Sequence, residues 1–430
     1  MLRKTVLIGL CFAVVSAMAV SAGGSQEAGA TAEKKVFMIY WHPDHMYDNY
    51  LKVIDEFEAE KNLKIEKVVM AWDDYKTKIN SDFAAGTPPD LAEVHHTWTI
   101  EFGLRGQVEN LTDMVKAWPE SEDWFESTWT DVSDIEGNIY GVKMHHTCYA
   151  MFWNRAIFKD AGLDPDEPPA TLEELADYVD MFHNTVGPDI KGYGFDPKGQ
   201  FLTPFFVTEK TPYLVMDGKV TLDGPAARKT VKLLNKLARS GKTYVPDPGG
   251  SAARVNVRAM FLGGKFAMQI SGPWELGNIK KNYPDFDYNV VMPPHISGVE
   301  SRTNATGTAM CIPTDAKHPE LAWELLKRIV DPEVEVATTI EAGMLMPRKS
   351  WASDPRIQDL KEVKYFKPLL PFAHSFDIAA SQLVLPEITH FGHVWDNLYE
   401  SMIYTDKDMD QAIDEYVEEA NGMIKEKLRG

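Results

Sequence analysis

The sequence predicts an α/β protein of two domains or lobes, and two observations carry that expectation. Its 430 residues exceed what one ordinary hydrophobic core organises. Its first ordered stretch then alternates strand-like and helix-like periodicity in the order βαβαβ, which implies a parallel sheet with helices on both faces.

Val36 to Trp41 is a short apolar strand, followed by a helix with Tyr47, Leu51, Ile54 and Phe57 at three-to-four spacing. Ile65 to Met70 is the second strand. Asp73 to Phe83 is the second helix, stopped by Ala84-Ala85-Gly86-Thr87-Pro88-Pro89. Asp90 to Val94 is the third strand and runs into His95-His96-Thr97-Trp98. In such sheets ligands bind beyond the carboxyl ends of the strands, which is where Trp41-His42-Pro43-Asp44 and His95 to Trp98 fall.

Ile139 to Phe152 reads as one long extended run, and Asn154 to Ala161 as a helix ending at Gly162. Thr171 caps the next helix, with Glu174 completing a capping box. Pro225 to Ser240 and Ala252 to Phe261 are amphipathic helices. The stretch FLGGKFAMQISGPWELGNI, 261–279, reads as a turn, a buried strand and a helix entry. There Ser271 and Gly272 bring backbone close to a bound molecule, Pro273 suits the first helical turn, and Trp274 stands at the mouth. Asn289 to Pro294 and Thr308 to Pro313 are extended, and Glu320 to Val330 and Asp408 to Lys427 are helices.

Residues 1–22 read as a secretory signal: Arg3 and Lys4 lead an apolar run from Thr5 to Val20 that ends in small residues. Cys11 lies inside that run, so no lipid anchor is expected, and residues 23–32 are a flexible polar leader. The expected location is periplasmic or extracellular. The net charge is −20 and deepens by two when Arg3 and Lys4 leave, which argues against nucleic acid and anionic membrane as partners. Cys148 and Cys311 both sit in apolar strand-like runs, where two buried thiols are the simpler reading and a disulfide the alternative.

Five segments in order then resemble the extracellular solute-binding proteins of ABC importers, the sugar-binding branch that includes maltose-binding protein. They are AAGTPPDLAEV (84–94); GNIYGVKMHHTCYAMFWNRAIFKDAGL (137–163) with PPATLEEL (168–175); the 261–279 stretch; HPELAWELLKRIVDPE (318–333); and AGMLMPRK (342–349). The resemblance implies a two-lobed periplasmic-binding-protein fold, each lobe a mostly parallel sheet flanked by helices, with three interlobe crossings. Carried over by position, the crossings fall near His145 to Cys148, Gly307 to Cys311 and Ala373 to Phe376. Lobe one is then 33–146 and 311–374, and lobe two 149–306 and 376–430. Side-by-side crossings would make Cys148 and Cys311 neighbours.

The function implied is capture of a sugar or oligosaccharide between the lobes and delivery to ABC permease subunits, by a monomer without cofactor or catalysis. Sugars are held by aromatic faces stacking on C–H faces and by planar polar groups bonding hydroxyls. The cleft candidates are Trp41, His42, Asp44, His95, His96 and Trp98, then His145 and His146 from the first crossing. Phe195, Asp196, Trp274 and Asn304 come from lobe two, and Met344 from a lobe-one loop. Trp274 matches the family's stacking tryptophan; Asp44 has helix capping as its alternative role.

Six of the twelve histidines (42, 45, 95, 96, 145 and 146) fall in these segments. Hydrogen-bonded structural imidazoles, sugar partners and a metal or metal-chelate site are the three readings. Adjacent histidines on a strand would point to opposite faces, HExxH is absent, and no metal ligand set is assigned. A glycan-hydrolysing enzyme is the remote alternative; GxSxG, the P-loop and GxGxxG are all absent.

Overall fold

The computed structural model describes residues 34–427 apart from 135, 208–214, 217–218, 249–250, 301 and 361–387. In chain order its strands are β1 (Lys35–Trp41), β2 (Leu63–Val69), β3 (Leu91–His95), β4 (Val142–Lys143), β5 (Thr147–Cys148), β6 (Ala150–Asn154), β7 (Lys191–Gly194), β8 (Val215–Met216), β9 (Lys219–Val220), β10 (Phe266–Ser271), β11 (Tyr288–Val291), β12 (Ala305–Thr306) and β13 (Thr308–Cys311). They form one five-stranded sheet in the order β2-β1-β3-β13-β4, one four-stranded sheet in the order β11-β6-β10-β7, and the pairs β12-β5 and β8-β9.

The first sheet grows from the expected βαβαβ start. β1 runs parallel to β2 from Lys35↔Leu63 to Trp41↔Val69, and parallel to β3 at Ile39↔Leu91. The helix Asp48–Lys61 between the first two strands buries Tyr50, Ile54 and Phe57, spaced to share one face, and ends on Asn62 in the left-handed region at φ 52°. The helix Trp72–Ala85 ends the same way on Gly86, φ 67°. Phe37, Ile39, Phe57 and Leu91 pack with Leu325, Leu326 and Ile329 of the helix Pro319–Ile329. Each such fully buried side chain contributes about 1.5–3 kcal/mol of transfer free energy.

The second sheet is mixed. β6 is antiparallel to both β10 and β11, and β10–β7 is its one parallel pairing among the described residues. The expectation of mostly parallel sheets therefore fits β2-β1-β3 better than this half. β6 enters this sheet directly from the crossing strand β5 and runs against both β10 and β11, which follow it in the chain. Its core joins Met151, Trp153, Val179, Phe182 and Leu234 to Met402, Ile413 and Tyr416, so the helices Ile388–Tyr404 and Met409–Lys427 pack with this sheet. The helix Pro332–Ala342 touches both Asp48–Lys61 and Trp274–Asn282. Its approach to the latter is close: a Cβ on Gly277 would stand 2.8 Å from the Ala342 carbonyl oxygen.

Among the described residues, two chain segments join the halves. The run Ile139 to Phe152 is not one strand but three pieces, β4 in the first sheet, β5 in the crossing and β6 in the second sheet. β12 runs back antiparallel to β5, at Ala305↔Cys148 and Thr306↔Thr147, before Gly307 leads into β13. The expected side-by-side crossings are thus a two-stranded ribbon. Gly307 has φ 143°, and a Cβ there would lie 2.1 Å from the His145 carbonyl oxygen. Beside it the buried Lys143 ammonium pairs with the buried Asp131 and donates to His146 Nδ1 (3.0 Å) and the Thr306 carbonyl (3.3 Å). Cys148 and Cys311 are both buried and not joined by a disulfide, the first opposite Ala305 and the second opposite Ala92 in another sheet.

Residues 1–32 and the third crossing near Ala373 to Phe376 lie outside the described residues. Among the described residues no helix is long and apolar enough to cross a membrane.

Gly307→Ala is expected to destabilise the fold by on the order of 2 kcal/mol or more, since the left-handed backbone and the backbone clash act together. Urea unfolding of the variant checks this; unchanged stability would show that the two crossings separate freely.

Candidate ligand-binding cleft

The carboxyl ends of β1, β2 and β3 each deliver an aromatic or imidazole ring to one place. His42 follows β1 and stacks on Trp72, which follows β2, at 4.3 Å and 14° between planes. Trp72 meets Trp98, beyond β3, edge to face at 5.5 Å and 86°. The Lys76 ammonium stands 5.1 Å over the Trp98 ring and pairs with Glu101 at 2.9 Å. Trp72 and Trp98 are partly exposed.

Two ion pairs show which way this surface faces. Asp73, next to Trp72, receives the Lys198 ammonium at 2.7 Å, and Asp44, two residues after His42, has Oδ2 3.9 Å from Arg258 Nη1. Lys198 and Arg258 belong to segments flanking the second sheet. Arg258 also pairs with Glu275 at 2.9 Å, adjacent to the partly exposed Trp274. The His42–Trp72–Trp98 surface and the Trp274 region therefore approach each other from opposite halves.

Trp274 opens its helix as expected, with edge-to-face contacts to Tyr149 at 5.8 Å and Phe201 at 6.3 Å. The preceding residues shape the seat of the tryptophan. A Cβ on Gly272 would fall 2.3 Å from the Trp274 ring, so this glycine makes room for the tryptophan itself. Ser271 Oγ donates to Glu275 Oε1 at 2.8 Å.

The remaining candidates, Asp44 apart, sit deeper. Trp41 is 1% exposed, packs on Tyr50 and donates Nε1–H to the His45 carbonyl at 2.9 Å. Phe195 is wholly buried against Tyr193, and Met344 is buried with Leu345 and Met346. Asp196 accepts from the Lys198 backbone N–H at 2.9 Å and so shapes the turn that carries Lys198. Asn304 is buried, accepts from Thr203 Oγ1 at 3.2 Å, and its Nδ2 has no protein partner among the described residues. Asp44 is exposed and does not cap the short turn after β1; His42 does, accepting the Asp44 backbone N–H on Nδ1 at 3.2 Å.

The histidines form a mostly buried, hydrogen-bonded layer. His95 Nδ1 lies 2.9 Å from Thr97 Oγ1, and His95 Nε2 lies 3.3 Å from Thr306 Oγ1. His96 bonds the Gly307 carbonyl through Nδ1 at 3.0 Å, and its Nε2 has no protein partner among the described residues. His145 lies 2.9 Å from both Tyr50 Oη and Thr308 Oγ1. His146 takes the Lys143 contact. The pair His95–His96 is not on a strand: the first ends β3 and the second begins the helix His96–Leu104, which brings their rings to 4.6 Å instead of to opposite faces.

Burial holds His95, His96, His145 and His146 well below the ordinary imidazole value, and His295 below it. His45 is the opposite case: burial opposes its charge, but the adjacent Glu93 carboxylate outweighs burial and raises it, while Glu93 is lowered in turn. Sequence reasoning missed Trp72, Lys198, Asp73 and Arg258. Trp72 had a findable signal, since it follows β2 as His42 follows β1 and Trp98 trails β3. A separate groove of about 670 Å³, lined by Trp118, Trp323 and Arg328 among others, shares no residue with this site.

The sign of the pH dependence follows. A histidine held neutral in the fold takes up its proton on unfolding, so its contribution is complete above about pH 6.5 and is lost as pH falls below it. Among the described residues five imidazoles act in this direction and His45 opposes them. Urea unfolding in metal-free buffer should therefore give lower stability at pH 5.5 than at pH 7.5, each net proton adding about 1.4 kcal/mol per pH unit. Stability that rises toward pH 5.5 would contradict this assignment.

Comparison with known proteins agrees with this architecture. A binding protein of Brucella abortus is 27% identical over 341 residues, covering 77% of this chain and 80% of its own. The arabinooligosaccharide-binding protein of Bacillus subtilis is 23% identical over 334 residues, 74% of this chain and 75% of its own. An ABC transporter solute-binding protein from Thermotoga lettingae, solved with α-D-tagatose bound, superposes with a TM-score of 0.79 at 23% identity, covering 91% of this chain and all of that one. The family model for bacterial extracellular solute-binding proteins matches residues 52–365, and on that span the chain belongs to the bacterial extracellular solute-binding protein family.

Proposed function

We propose that the protein captures a neutral sugar or oligosaccharide between two lobes outside the cytoplasmic membrane and delivers it to the permease subunits of an ABC transporter. The observation that carries this reading is the pairing of aromatic surfaces from opposite halves, His42–Trp72–Trp98 on one side and Trp274 with Tyr149 and Phe201 on the other. Aromatic faces suit the C–H faces of pyranose and furanose rings. The cations around them already have carboxylate partners: Lys76 with Glu101, Lys198 with Asp73, Arg258 with Glu275. A site balanced in this way favours a ligand without net charge. Relatives named for arabinooligosaccharide binding, and one solved with a ketohexose, support the same class.

In this reading residues 33–146 and 311–374 form lobe one, residues 149–306 and 376–430 lobe two, and the helix Pro332–Ala342 spans their boundary. Trp274, Trp72 and Trp98 supply stacking faces. His42 and His95 supply hydroxyl partners, and Asn304 Nδ2 and His96 Nε2 are buried polar atoms with no protein partner among the described residues. Trp41, His145, His146, Phe195, Asp196 and Met344 support those groups from beneath. Asp44 and Asp73 act across the interface with Arg258 and Lys198, which stabilises the closed arrangement. A ligand touching both lobes shifts the population toward that state.

Residues 1–22 direct export, no lipid is attached, and the monomer acts without cofactor, catalysis or nucleic acid. Metal chelates are not favoured as cargo, because relatives from Bacillus subtilis are named for arabinooligosaccharide and galactooligosaccharide binding.

A thermal-shift screen over neutral mono- and oligosaccharides should yield a member that raises the melting temperature. Calorimetry on that sugar should then show Trp274→Ala weakening binding by on the order of 1–3 kcal/mol. Unchanged affinity would remove Trp274 from the site, and recovery of a cleaved sugar would overturn the assignment as a binder.

Lys198→Gln removes a pair whose members are 28% and 48% exposed. The expected loss of sugar affinity is about 0.2–1 kcal/mol at low salt, vanishing at high salt. A salt-independent loss would mean that Lys198 contacts the ligand instead of Asp73.

A further inference from the structure

We propose that His45, Glu93 and His145 form a binding site for one divalent transition-metal ion of the zinc type. One ligating atom from each residue lies within 4.8 Å of the other two. All three side chains are buried: His45 is 7% exposed and the other two are 0%. Two imidazole nitrogens with one carboxylate oxygen is a donor set that suits Zn²⁺ and its neighbours and leaves a fourth position open. A hard cation such as Ca²⁺ takes six to eight oxygens, which this set does not offer.

The three residues come from separate elements. His45 closes the turn after β1, Glu93 lies in β3, and His145 is in the first crossing between the sheets. The rings of His45 and His145 already meet at 4.9 Å, and the Glu93 carboxylate is hydrogen-bonded to His45. Outer partners orient the set. Glu93 Oε2 accepts the His42 backbone N–H at 3.0 Å, and the two nitrogens of His145 face Thr308 Oγ1 and Tyr50 Oη. Such outer contacts fix ring orientation at metal centres. An ion there replaces the proton shared by His45 and Glu93 and the hydrogen bond on one His145 nitrogen.

The site lies beneath the proposed sugar surface: it joins the turn after β1 and the strand β3 to the crossing, and its test does not depend on a sugar. Its predicted effect is to stiffen the crossing where it leaves the first sheet.

The test uses the full chain, without an added histidine tag, after removal of bound metal by chelator. Addition of equimolar Zn²⁺ should raise the melting temperature, and calorimetry should give one ion per chain. Glu93→Gln and His145→Gln should each weaken Zn²⁺ binding at least tenfold, while His183→Gln, on the helix Leu172–Thr185, should retain it. Absence of binding at equimolar Zn²⁺ to the native chain overturns the site whatever the variants do. So does binding undiminished in Glu93→Gln and His145→Gln.

Discussion

The close packing of the two crossings is the constraint on which the remaining geometry rests. Gly307 lies against the His145 carbonyl where no side chain fits, and Lys143, itself buried, holds Asp131, His146 and the Thr306 carbonyl together. A buried ammonium without its carboxylate is costly, so this cluster tolerates little rearrangement. It fixes where β4 leaves the first sheet and where β13 enters it, and those points set the distance between the β1–β3 strand ends and the Trp274 helix. A ribbon packed in this way resists stretching.

On that frame, local chemistry builds the site economically. Parallel strands β1, β2 and β3 end side by side, so residues just beyond each end converge without any long-range design, giving His42, Trp72, and the His95–Trp98 turn. On the other half a glycine vacates the space that the Trp274 ring occupies, which pins the ring from behind. The acidic partners of Lys198, Lys76 and Arg258 leave stacking and neutral hydrogen bonding as the main attractions open to a ligand. The buried histidines work as a neutral layer under this surface. His96 and His145 bond elements from both sides of the crossing ribbon, tying the strand ends to the hinge.

Much of the fold was legible where its signals are local. The βαβαβ start, the Thr171–Glu174 capping box and the strand-to-helix passage through Trp274 each depend on residues a few positions apart, and each is present. The order of segments carried the family, which no single motif could. What the sequence hid were partners far along the chain. His96 meets Gly307, 211 positions away, and His145 meets Thr308, 163 away, so their burial could not be read locally. Trp72 was overlooked because it sits in the joint between a strand and a helix, where neither periodicity applies. Phe195 was placed by loop position, but an aromatic flanked by Tyr193 and a strand is equally suited to the core, where it lies. The mixed second sheet was likewise hidden, since strand direction depends on how the chain enters, not on strand composition.

The central claim is that a saccharide is held by both halves at once, so that binding and closure are one event. Small-angle X-ray scattering of the protein with and without the saccharide found in the screen tests this most directly. The account predicts a smaller radius of gyration in the saturated protein, with no change in molecular mass. An identical scattering profile in both states, at full saturation, would contradict it.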